Sequence, residues 1–222
     1  MTREAIIGAI QRGLKRGPLP ADQRAMLAGR MVAHPRQITP ARGKLDQEGR
    51  IALFTQYVVR EFGTVARLGS LAEVPKAVVE YLAAQNAEPA LVVSPHPRLQ
   101  AIPFGETPLL AVRFGTCAAT DATCLTFAPA GIAETGTLLL PSGPLTPTSN
   151  NLLPDNALVL LHAADIVPCY EDAFDRLRLR GAMPRNVMLV TGPSRSADIE
   201  QTLELGAHGP RRLHILIIDG EG

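Results

Sequence analysis

Chemistry is most densely suggested in Val190-Thr191-Gly192-Pro193-Ser194-Arg195-Ser196-Ala197-Asp198-Ile199-Glu200, with Gly206-Ala207-His208-Gly209-Pro210 shortly after. The apolar run Val187-Met188-Leu189-Val190 precedes it and reads as a buried strand. Gly192-Pro193 then forces a turn, and Ser196 is placed to cap a helix running through Glu200 to Leu205. Open α/β sheets present ligand-binding groups in this way, at the carboxyl ends of their strands. Free N–H groups at a helix start attract anions, and Arg195 adds a planar, permanent cation. Two readings share these residues. One is a small-anion site built from Gly192, Ser194, Arg195 and Ser196; the other is an ordinary strand-to-helix turn. Asp198 and Glu200 suit the helix dipole but oppose an anion there, and they offer Arg195 an internal partner. His208, between glycines, could titrate near neutrality or hold a small anion, or it could bond the last carbonyls of the helix. No Walker loop and no Gly-x-Gly-x-x-Gly fingerprint is present.

The second candidate is Glu134, in Gly131-Ile132-Ala133-Glu134-Thr135-Gly136-Thr137. Gly136 permits close backbone approach, and Thr135 and Thr137 offer hydroxyls. A carboxylate held there could act as general base, nucleophile or metal ligand, or simply accept bonds from nearby backbone. His162 and His214 border apolar strands and read as core or edge residues, while His34 and His96 precede prolines and read as loop residues. Ser-His-Asp order, a His-x-x-x-His pair and a Gly-x-Ser-x-Gly elbow are all missing, so hydrolase templates gain no support.

These residues need elements to position them. Ile6, Ile7, Ile10 and Leu14 predict an amphipathic helix over residues 2–16, ended by Gly17-Pro18. Residues 20–44 are rich in Pro, Gly and Arg, with Met26-Leu27 and Met31-Val32 as apolar islands, and read as an arm wrapping the main domain or a partner subunit. From Asp46, a helix carries Ile51, Phe54, Val58 and Phe62 on one face. Strands are expected over 64–68, 90–93, 109–114 and 124–126, with a helix after Pro75. Residues 127–132 fit at most one short helical turn, and 134–140 a strand that starts polar and ends apolar. Residues 141–154 read as a lid or binding loop, 157–161 as a strand, and Asp165 as the cap of a helix bearing Ile166, Tyr170, Phe174 and Leu177. A last strand covers 213–218. Strands alternating with helices predict an α/β fold: an open, mainly parallel sheet flanked by helices. The expected division is an arm over 1–45 and one α/β domain over 46–222.

Of 222 residues 46% are hydrophobic, enough for a core, and only 4% are aromatic, so that core is aliphatic. The formal charge is +1, with no basic block, so no nucleic-acid partner is expected. No run approaches the ~18 apolar residues of a membrane span, and the N-terminus lacks a signal-peptide core, so a cytoplasmic protein is expected. Cys117, Cys124 and Cys169 are odd in number and form no Cys-x-x-Cys, so no metal or other cofactor is expected on this chain.

Taken together, Gly131 to Leu138, the Ser149 to Pro154 loop, Asp165-Ile166-Val167-Pro168, Gly192 to Glu200 and Gly206 to Pro210 resemble the LUD domain family, and within it the lactate-utilisation protein C branch. The resemblance covers roughly residues 46–219. It implies the fold of sugar-phosphate isomerases and CoA transferases. It also implies a part in bacterial L-lactate oxidation to pyruvate, beside iron–sulfur partner subunits. The C-type members lack the cluster-binding cysteines, as this chain does. Ser196 stands where the family usually has Thr. On this reading Glu134, Thr135, Gly136 and Thr137 face Gly192, Ser194, Arg195, Ser196, Asp198 and His208 across one cleft that takes a small anion. The alternatives are a stand-alone enzyme acting on a phosphorylated or CoA-linked substrate through Glu134, and an assembly module that docks partners by its arm.

Overall fold

Asn156–His162 forms a strand whose seven residues are all buried, which requires cover on both faces of its sheet. The elements around it supply that cover. The computed structural model describes residues 2–15, 17–36, 40–197 and 203–220, and the chain divides into two units, Met1–Ile38 and Thr39–Gly222.

The first unit holds helices α1 (Arg3–Gly13) and α2 (Ala21–Ala33). Thr2 caps α1 by accepting the Ala5 amide at 3.3 Å. The second helix corrects the expected irregular arm. Ala21 to Ala28 are mostly strong helix formers, Pro20 stands just before the start, and His34 ends the helix in the left-handed region before Pro35. No residue of either helix is buried, and Met31 and Val32 are 76% and 81% exposed.

The second unit begins with α3 (Gln47–Arg60), capped by Asp46, then β1 (Thr64–Leu68), α4 (Val74–Ala84), β2 (Ala90–Val93), α5 (Pro97–Gln100), β3 (Ala111–Phe114) and β4 (Thr123–Ala128). Next come β5 (Ala130–Ile132), β6 (Thr137–Pro141), α6 (Ser149–Leu152), β7 (Asn156–His162), β8 (Ile166–Val167), α7 (Tyr170–Leu179) and β9 (Val187–Val190). The chain continues through β10 (Arg195–Ala197), β11 (Leu203–Leu205) and β12 (Arg212–Ile218).

Six strands form one parallel sheet in the order β1-β12-β7-β4-β2-β3. Alternate residues of β7 serve opposite faces. Leu158 and Leu160 pack with Val78 and Leu82 of α4, while Val159 and Leu161 pack with Phe54 and Val58 of α3. This is the expected open parallel sheet flanked by helices.

A second sheet, β8-β5-β6-β9, was not anticipated. It starts where β4 passes into β5 with only Pro129 between them, a residue with no N–H to donate to a ladder. The helical turn expected at 127–132 is therefore two strands, with Gly131 paired to Leu138. Helix α7 covers this sheet through Ala173 and Leu177.

Three further expectations are corrected. Residues 195–197 and 203–205 pair antiparallel, Arg195 opposite Leu205, so Ser196 lies in a strand and not at a helix start, while residues 198–202 of the expected helix lie outside the described residues. The alternation Leu203-Glu204-Leu205 has the period of a strand, and Gly192 and Gly206, both at positive φ, turn the chain at its ends. Asp165 ends a 3-10 turn and caps no α-helix; Pro168 holds Val167 extended, and α7 starts only at Tyr170. Phe62 lies past the end of α3 in the left-handed region and is 59% exposed, not on the buried face. Residues 141–154, expected as a lid or binding loop, are anchored through Asn150 of α6, which accepts the Cys117 amide at 2.7 Å and donates to Ser94 Oγ and the Gly115 carbonyl, both at 2.9 Å. Among the described residues no helix is long and apolar enough to cross a membrane.

His214 on β12 is 7% exposed, stacks on Tyr81 at 4.2 Å and sits 2.7 Å from Thr64 Oγ1 through Nδ1. Burial lowers its pKa to about 4. The unfolded chain therefore takes this proton more readily than the folded one, and stability present above pH ~6.5 is lost as pH falls toward 4. Equilibrium unfolding should show a loss of about 3 kcal/mol across that window from this group. His96 and His162, also held below the usual histidine value mainly by burial, add in the same sense. A His214→Gln variant should show a flatter profile; an unchanged slope would remove His214 from the account.

Candidate functional site

The turn between β5 and β6 places the carboxylate predicted to carry chemistry. Gly136, at φ +65°, closes it, with its amide on the Ile132 carbonyl at 3.0 Å. The Glu134 amide bonds the Pro168 carbonyl at 3.3 Å, and its Oε1 accepts the Tyr170 amide at 3.4 Å, at the start of α7. Glu134 is 4% exposed, and its Oε2 is buried without a hydrogen-bond partner. An unpaired buried acceptor costs roughly 1–3 kcal/mol, so this oxygen is suited to a hydrogen-bond donor from outside the chain.

Four hydroxyls meet at the strand that follows this turn. Thr137 Oγ1 is 2.8 Å from Thr135 Oγ1, 3.1 Å from the Tyr170 hydroxyl and 2.6 Å from Thr191 Oγ1. This knot brings the Glu134 motif to the Gly192 motif. Both glycines also press on the end of α3. A side chain at Gly136 would strike Tyr57 and Val58, and one at Gly192 would strike the Glu61 carbonyl. The two motifs thus meet in a closed contact against α3. Arg195 continues that contact, its guanidinium 3.3 Å from the centroid of the Phe62 ring, a cation–π pair. The Ser194 amide bonds the Pro210 carbonyl at 2.8 Å, bringing it beside Gly209, while His208 is exposed. Ser196 belongs to β10, and Asp198 lies outside the described residues.

A different set of residues surrounds open space. In the parallel sheet, β2 leads outward to β3, whereas β4 leads through the second sheet to β7 on its other side. The chain parts between β2 and β4, and a crevice opens beyond the carboxyl ends of strands at such a point. Here it is a hollow of about 220 Å³ lined by Arg98, Phe127, Asp165, Arg176, Leu177 and Arg180, among others. A second hollow shares Phe127, Leu177 and Arg180 and reaches His96 and Leu145.

Phe127 is the floor. The His96 ring stacks on it at 4.5 Å, and the Arg98 guanidinium lies 5.2 Å from its centroid. Asp165 joins Arg98 at 3.4 Å and Arg176 at 2.9 Å. The exposed side chain of Arg180 makes no hydrogen bond or ion pair among the described residues. The positive field is felt locally: burial first, then Arg180 and Arg98, holds the His96 pKa below its usual value. Sequence reasoning singled out none of these arginines. The available signals were the position of Phe127 at the carboxyl end of one parallel strand and of Arg98 shortly after another, and the i, i+4 spacing of Arg176 and Arg180 along α7.

Replacing Thr137 with Val keeps the shape of the side chain and strips Thr135, Tyr170 and Thr191 of a shared partner. Denaturant unfolding should show a loss of about 2 kcal/mol, and Tyr170→Phe a smaller one. Equal losses in the two variants would contradict a knot centred on Thr137.

Comparisons with known proteins agree with this architecture. The LUD domain model matches residues 113–218, which include Glu134, Gly192, Arg195, Phe127, Arg176 and Arg180 but not Arg98. The protein NMB1437 of Neisseria meningitidis is 44% identical over 92 residues, 41% of this chain and 40% of its own. Lactate utilization protein C of Bacillus subtilis is 37% identical over 100 residues, 43% of this chain and 42% of its own. Its namesake in Halalkalibacterium halodurans is 34% identical over 99 residues, 43% of each chain. Each match thus spans about two-fifths of the relative. The crystal structure of a DUF162 family protein from Deinococcus radiodurans shares the fold, with a TM-score of 0.58 at 20% identity over 78% of this chain and 99% of that one. Over residues 113–218, just under half of its length, this chain is similar to the LUD domain family.

Proposed function

We propose that this chain serves lactate utilisation, as a cytoplasmic subunit without its own redox cofactor in a system that oxidises L-lactate to pyruvate on iron–sulfur partner subunits. The observation that carries the reading is the name Lactate utilization protein C, shared by the Bacillus subtilis and Halalkalibacterium halodurans relatives. Placing the clusters on partners is supported by the state of the thiols here. Cys117, Cys124 and Cys169 are all buried, and burial pushes each pKa up, away from the thiolate that ligates iron. In this role the domain supplies fixed surfaces and an anion-attracting groove, and the electrons pass through its partners.

A second reading is favoured by the buried, unpartnered Oε2 of Glu134. On that reading the chain is an enzyme in its own right, with Glu134 as the base or nucleophile toward a phosphorylated or CoA-linked molecule. Deleting the gene in a host without a duplicate should abolish growth on L-lactate and spare growth on glucose. Normal growth on L-lactate would contradict the pathway. Complementation with Glu134→Gln separates the two readings, since a subunit role predicts rescue. A stable variant that fails to rescue would instead assign the chemistry to this carboxylate.

A further inference from the structure

We infer that the crevice between the carboxyl ends of β2 and β4 is a binding site for a small dianion, a phosphate monoester or a dicarboxylate, held by Arg98, Arg176 and Arg180 over Phe127. The inference does not rest on the lactate reading, and it moves the anion site away from Arg195.

Charge is the first argument. Three guanidinium groups line the hollow and a single carboxylate, Asp165, opposes them, leaving two positive charges uncompensated among the lining residues. Asp165 is committed to Arg98 and Arg176, so Arg180 is the cation left to meet a ligand directly. By contrast, Arg195 is taken up over the Phe62 ring, and none of the hollows named above has it in its wall.

Pre-organisation is the second. Asp165 fixes Arg98 and Arg176 before any ligand arrives, so less side-chain entropy is lost on binding. Arg176 is held twice, at Asp165 Oδ1 and at the Ala164 carbonyl at 3.2 Å. Arginine forks of this kind recognise the paired oxygens of carboxylate and phosphate.

Size and position are the third. A hollow of about 220 Å³ is many times the space one water needs and admits a ligand of several heavy atoms. Phosphate and malonate fit, and the adjoining hollow past Leu145 leaves space for the body of a phosphate ester. The site also stands where open α/β sheets bind ligands, at the point where strand order reverses.

The test is a calorimetric titration of the full chain with inorganic phosphate, malonate and lactate at matched ionic strength. Saturable millimolar binding of phosphate, of malonate or of both is expected, with lactate at least about tenfold weaker. The preferred dianion identifies the ligand as phosphate-bearing or dicarboxylic. Arg180→Gln, a surface change outside the core, should weaken the dianion roughly tenfold, whereas Arg195→Gln should not. The proposal is overturned if neither dianion binds, if lactate binds as tightly, or if Arg195→Gln and not Arg180→Gln removes binding. Growth on L-lactate plays no part in these outcomes, so this test and the pathway test fail separately.

Discussion

One carboxylate ties together the parts of the molecule that could act on a ligand. Asp165 stands three residues past the fully buried strand β7 and bonds Arg98, 67 residues earlier, and Arg176 on α7. Its side chain is 25% exposed, so the pairs contribute little to stability, on the order of 1 kcal/mol each. Their effect is geometric. Without Asp165 two guanidinium groups would repel across the hollow; with it they are neighbours in fixed positions.

That arrangement depends on the way the chain leaves the parallel sheet. Pro129 separates β4 from β5, and the strand passes into a second sheet rather than turning back as a helix. The second sheet carries α7 with it, through Ala173 and Leu177 against Ile132 and Val167. Arg176 and Arg180 are thereby brought over the end of β4, where Phe127 closes the bottom of the hollow. The other end of α7 meets Glu134. One ten-residue helix, about 15 Å long, thus joins a buried carboxylate at its start to an arginine-lined crevice at its end.

Much of the scaffold is legible in the sequence because its signals are local. The apolar runs at 90–93, 157–161 and 213–218 have the length and composition of buried strands, and Ile51, Phe54 and Val58 the spacing of a helix face. Gly136 is legible as a point of close backbone approach, which here is to Tyr57 and Val58 of α3. The pairing of 195–197 with 203–205 is hard to read because Ser, Asp and Glu after a glycine turn are start signals for a helix, and the Leu-Glu-Leu alternation that argues for a strand spans only three residues. The crevice was illegible for a different reason. Arg98 and Arg180 belong to segments far apart in the chain, exposed arginines carry no signature, and only the strand order β7-β4-β2 makes them neighbours.

The most direct measurement is a crystal structure of the full chain grown with malonate or phosphate present. The account predicts density for the anion between the guanidinium groups of Arg98, Arg176 and Arg180, above the Phe127 ring, with Asp165 still bonded to Arg98 and Arg176. Density beside Arg195 and His208, with the crevice holding only water, would contradict it.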